Sequence, residues 1–86
     1  MSKSLGKAEI LLTLADCESG RRYRVVEVHG GGGLRARLEQ MGLNQGCILA
    51  KTGGHLFRGP IMVKIKHTEL AIGHAMAGHI QVEPLP

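Results

Sequence analysis

Aromatic residues are nearly missing from this chain: of 86 residues only Tyr23 and Phe57 are aromatic, and there is no tryptophan. Modules that hold single-stranded nucleic acid interleave cations with aromatic faces on which bases stack. The net charge of +4 and the pI near 9.5 therefore lack their usual companion. Arg21, Arg22, Arg24, Arg35, Arg37, Lys51, Arg58, Lys64 and Lys66 are spread along the chain with no dense run, which reads as solvated strand faces. No nucleic-acid partner is expected, and a weak nucleic-acid-binding barrel is retained only as an alternative.

Long apolar runs are lacking too. None approaches the ~20 residues of a membrane span, and the N-terminal MSKSLGKAEILLTLA has no continuous apolar block followed by a small-residue cleavage site. The expectation is a soluble, unexported, cytoplasmic protein with no membrane insertion. Two cysteines, Cys17 and Cys47, would then stay reduced and serve as small buried hydrophobes.

Recognisable chemistry is equally scarce. Five histidines, His29, His55, His67, His74 and His79, raise a divalent-metal alternative, but there is no CxxC, HxxxH or HxH spacing to support it. The acidic residues Glu9, Asp16, Glu18, Glu27, Glu39, Glu69 and Glu83 stand singly, and no nucleophile sits in an elbow or beside an evident base. The run Gly30 to Gly33 precedes a helix as a phosphate cradle would, yet GxxxxGK[ST] is absent and the run reads as a plain connection. The reading is a non-enzyme with no cofactor, no catalytic residue and no metal ligand assigned.

What is present is β pattern with one helix. Tyr23 to Val28 is rich in β-branched residues, Cys47 to Lys51 reads as a second strand, and Ile61 to His67 alternates so that Ile61, Val63 and Ile65 share a face. Glu69 to Ile72 and Ile80 to Glu83 read as two further strands, with a tight turn or single helical turn from Gly73 to Gly78. The glycine-bearing segment Thr52 to Pro60 reads as a loop in which Gly53, Gly54 and Gly59 supply bends.

Leu34, Leu38 and Met41 recur at helical spacing, with Arg35 and Glu39 as an i,i+4 ion pair on the outer side. Gly42 occupies the left-handed position after a helix, and Leu43 the position that folds back onto the last turn. A helix over about 34–41 is thus expected after the first strand. About five short strands with one helix in a single 86-residue domain imply a mainly β fold, curled into a small barrel around one apolar core of about 14–83. Ile61 to His67 is taken as an edge strand through which two copies could pair, leaving monomer and weak homodimer open.

The order RLEQMGLNQG, then GPIMVKI, then ELAIGHAMAGHIQV resembles the ferrous iron transport protein A (FeoA) family. Arg37, Leu38, Met41, Gly42, Leu43 and Gly46 match its helix-and-turn motif, Gly59, Pro60 and Ile61 its central strand entry, and Ala77, Ile80 and Val82 its closing strand. The likeness spans about Leu14 to Val82. Gln45 stands where the family commonly has proline, His67 where it often has glycine, and Gly73 with His74 at a site that is usually basic.

The resemblance implies an SH3-like β-barrel that assists ferrous iron transport by binding and regulating the cytosolic GTP-binding domain of FeoB, the membrane ferrous iron transporter. The same barrel forms the C-terminal domain of diphtheria-toxin-repressor-type metal regulators. The expected partner contacts are Arg35, Arg37 and Glu39 on the helix, with His55, Phe57 and Arg58 in the loop that follows the second strand. Phe57 is either an anchor for the partner or a core residue.

Overall fold

The structure is a computed structural model that describes residues 12–54 and 59–86. The elements are β1 (Leu12–Thr13), β2 (Arg21–Val28), α1 (Gly32–Gln40), β3 (Ile48–Gly54), β4 (Ile61–Ile65), β5 (Thr68–Ile72), α2 (His74–Ala77) and β6 (Ile80–Pro84). All pairings are antiparallel, in the order β1-β6-β2-β3-β4-β5. The sheet curls as an SH3-like barrel but is not strictly closed, because its edge strands β1 and β5 do not pair with each other.

Alternation decides which side chains enter the core. Tyr23 and Val25 of β2, Leu49 of β3, Ile61 and Val63 of β4, Ile72 of β5, and Ile80 and Val82 of β6 are all buried. Leu14, Leu38, Leu43 and Ala77 close the ends of the same cluster. Each fully buried aliphatic side chain contributes about 1.5–3 kcal/mol relative to exposure, and among the described residues the core is built on β-branched residues and leucine around the single aromatic Tyr23. Register slips by one residue within β2, between Val25 and Glu27, and within β3, between Lys51 and Gly53. Such bulges sharpen the strand bend that lets a short sheet wrap.

Several expectations are corrected. A sixth strand, β1, pairs Leu12 with Val82 and Thr13 with Gln81; at two residues it is too short to carry a period. β3 runs through Gly53 and Gly54 rather than ending at Lys51, because the bulge at Thr52 keeps both glycines paired with β4. Strand β4 lies between β3 and β5, so Ile61 to Ile65 is no edge. Its alternation, with both ladder sides occupied, is that of an interior strand.

The largest correction concerns Lys51, which is not on a solvated face but 1% exposed. Its Nζ donates to the carbonyl oxygens of Leu14 at 3.0 Å and Ala15 at 3.4 Å, and to that of Cys17. The three ammonium protons thus meet three acceptors from one turn, which offsets the cost of burying a charge. Beside it Tyr23 donates its hydroxyl to the Glu18 carbonyl at 2.8 Å. Together these contacts tie residues 14–18 to β2 and β3.

Candidate functional site

The helix that carries three of the expected contact residues is fixed at its C-terminal end by backbone geometry. Met41 N–H donates to the Leu38 carbonyl at 3.0 Å, Gly42 N–H to Glu39 at 3.0 Å, and Leu43 N–H reaches back to Leu38 at 2.9 Å. The last bond spans a full turn and needs the residue before it in the left-handed region, where Gly42 sits at φ 91°. Leu43 then packs beside Leu38, both wholly buried. At its start the helix relies on glycine alone, with Gly31 as N-cap and no side-chain cap. Leu34 and Met41 are half-buried against the core, as their spacing predicts.

With Leu38 turned inward, Arg35, Arg37 and Glu39 are left exposed on the outer side. Arg35 and Glu39 share a small hollow of about 280 Å³ with Glu27, Val28, Leu43 and Gln45; Arg37 lies outside it. The expected Arg35–Glu39 ion pair does not form: the ion pairs among the described residues are Arg21–Glu18 at 3.9 Å and Arg24–Glu83 at 2.8 Å. Exposed i,i+4 pairs contribute only a few tenths of a kcal/mol, too little to hold both chains against solvent. Arg37 falls in the last helical turn, where a cation complements the helix dipole. The loop residues His55, Phe57 and Arg58 lie outside the described residues.

Pattern reading missed an open groove of about 830 Å³ between the α1–β3 connection and the β4–β5 hairpin. Met41, Cys47, Ile48 and Ile65 supply its apolar wall, with Asn44 and Lys66 among its polar residues. Lys66 turns the hairpin at φ 58°, the one described non-glycine residue with positive φ. Burial raises the Cys47 thiol above its ordinary pKa, and the Lys66 ammonium partly offsets this. The signal for the groove was Lys66-His67 between two strands, which demanded a two-residue hairpin without glycine.

Among the described residues no three His, Cys, Asp or Glu side chains converge as a metal site would require. Cys17 and Cys47 are free thiols. Cys17 is buried and its thiol is pushed up by desolvation, with the Lys51 ammonium pulling the other way. A raised pKa keeps it neutral and poorly nucleophilic. No helix among the described residues is long and apolar enough to cross a membrane.

These features define a class: a small, open SH3-like β-barrel bearing one helix with an exposed, charged outer side. A family model described as the FeoA domain matches residues 12–84. The chain belongs to the FeoA domain family. The crystal structure of an iron uptake regulatory protein (FeoA) is 31% identical, with a TM-score of 0.81 and 87% of this chain covering 99% of that one. The FeoA protein from Chlorobium tepidum is 27% identical, with a TM-score of 0.78 and coverage of 87% and 71%. The structure of ScaR with bound Zn2+ is similar over a part of its length, at 26% identity and a TM-score of 0.78, with 86% of this chain covering 37% of that chain. None of the curated proteins compared matches the chain.

Proposed function

We propose that this chain serves ferrous iron uptake as a small, non-catalytic cytoplasmic accessory protein that binds and regulates the cytosolic GTP-binding domain of a FeoB-type transporter. The observation that carries this reading is the family match across residues 12–84. The likeness to an iron uptake regulatory protein (FeoA), at 31% identity over nearly the whole of that chain, supports the same reading. The helix offers a surface for such a partner, because Leu38 and the glycine cap hold it rigidly while Arg35, Arg37 and Glu39 stay exposed. Rigid elements lose little entropy on docking. His55, Phe57 and Arg58 are proposed to join this contact, with Phe57 as the apolar anchor.

The test is a calorimetric titration of the protein into the transporter's cytosolic domain, run without nucleotide, with GDP and with a slowly hydrolysed GTP analogue. Saturable binding in at least one state, with a changed GTP hydrolysis rate in the mixture, is the expected result. Absence of heat in all three states would overturn the reading.

A further inference from the structure

The outer face of the sheet carries a row that neither the fold nor the helix contact explains. Inward placement of Tyr23, Leu49 and Val63 turns Arg22 of β2, Ala50 of β3 and Lys64 of β4 outward. The register sets them side by side, Arg22 opposite Ala50 and Ala50 opposite Lys64. Strand spacing separates the Cα atoms of Arg22 and Lys64 by roughly 10 Å. Ala50, the residue between them, has a side chain too short to fill that space and is half-buried, whereas both cations are exposed.

Neither Arg22 nor Lys64 makes an ion pair with a described residue, although β5 sets Glu69 opposite Lys64 at the far end of the row; Arg24, in the next row, is engaged by Glu83 at 2.8 Å. In that same row Arg24 lies opposite Ile48. Ile48 is 46% exposed, and only Leu12 joins it as an exposed large hydrophobic among the described residues.

We infer that Arg22, Ala50 and Lys64, with Ile48 beside them, form a docking strip for an acidic segment of a partner protein. Its carboxylate enters the notch over Ala50, between the guanidinium and the ammonium, and an adjoining apolar side chain covers Ile48. The guanidinium fork suits a carboxylate, and two uncommitted cations complement negative charge. A second copy of this chain centred on the notch would set Arg22 and Lys64 against the same two cations, which makes it the poorer occupant. Nucleic acid is disfavoured because Tyr23 is buried beneath the strip and the described residues of the strip offer no aromatic face for stacking. The inference rests on the partner-binding reading above and adds to it the chemistry of what is bound.

The experiment compares wild type, R22E/K64E, the milder R22Q/K64Q and the helix variant R35E/R37E. Each is titrated with the transporter's cytosolic domain and, separately, with a synthetic peptide of alternating glutamate and leucine, at low and at moderate salt. Both sites are solvent-exposed, so all variants are expected to melt with wild type, which circular dichroism verifies. The strip predicts at least a tenfold loss of peptide affinity in R22E/K64E, a smaller loss in R22Q/K64Q, little change in R35E/R37E, and weaker wild-type binding as salt rises.

Peptide binding that depends on Arg22 and Lys64 without binding of the transporter domain would overturn the transporter reading and leave the strip standing. Transporter binding unaltered in R22E/K64E, or no peptide binding by wild type, would overturn the strip. Tighter, Arg22-dependent binding of a single-stranded oligonucleotide than of the peptide would also overturn it, in favour of nucleic acid.

Discussion

The chain reversals on either side of β2 are held by opposite physics. Before it, residues 14–18 are gathered by a buried ammonium, Lys51, and by the Tyr23 hydroxyl, both bonded to main-chain oxygens. After it, α1 and its turn are held by Leu38 and Leu43 in the core and by a glycine that permits the helix stop. The first reversal has no regular ladder of its own, so its carbonyls need a donor from elsewhere in the chain. The second satisfies its own backbone and needs only burial. A small barrel therefore adds a directed polar contact to the packing of Leu14 and Cys17 at one end and relies on packing with a glycine stop at the other.

The comparison breaks most visibly at Leu38. Leu38→Ala empties a wholly buried site and should cost about 3–4 kcal/mol in urea unfolding, with faster amide exchange in α1 and unchanged exchange at residues 14–18. Equal loosening at both ends would mean that the two reversals are one unit.

Lys51→Met keeps the stem but orphans three acceptors. A loss of about 2–3 kcal/mol is expected, with exchange rising at residues 14–18 and not in α1. Stability at or above wild type would refute the ammonium clamp. Gly42→Ala forces a Cβ into the φ 91° conformation and should cost about 1–2 kcal/mol, read as a lower melting temperature.

The smallest effect is alkaline. Burial raises the Cys17 thiol above 9.0 and the Tyr23 phenol above 10.0. Above those ordinary values the unfolded chain releases protons that the folded chain retains, so stability is constant up to about pH 9 and falls beyond it. Cys17→Ala should flatten the first part of that decline in melts taken between pH 8 and 10.

How much was legible follows from the range of each interaction. The helix, its glycine stop and the fold-back of Leu43 depend on residues within one turn, so spacing revealed them; the start was misplaced, since the helix begins at Gly32 and takes in two glycines read as a connection. The strand alternation in β4 was equally plain, but its neighbours were not, and an interior strand was read as an edge. Lys51 could have been suspected, since alternation in Ile48–Gly54 puts it on the face of buried Leu49. Residue type argued for solvent, and the acceptors that reverse that argument lie more than thirty positions earlier.

For the candidate site, the sequence pointed to exposed Arg35, Arg37 and Glu39 and they are exposed. The open groove and the Arg22–Ala50–Lys64 row escaped it, because both are made by strands adjacent in the sheet. By itself the sequence determined the element types, the helix stop and the family motif order, all set by local backbone preference and by periodic apolar placement. Tertiary structure alone decided the strand order, the seam left between β1 and β5, the burial of Lys51 and the pairing of distant cations across one small side chain. Those depend on register between segments far apart in the chain, and register is settled only when the shared core excludes water.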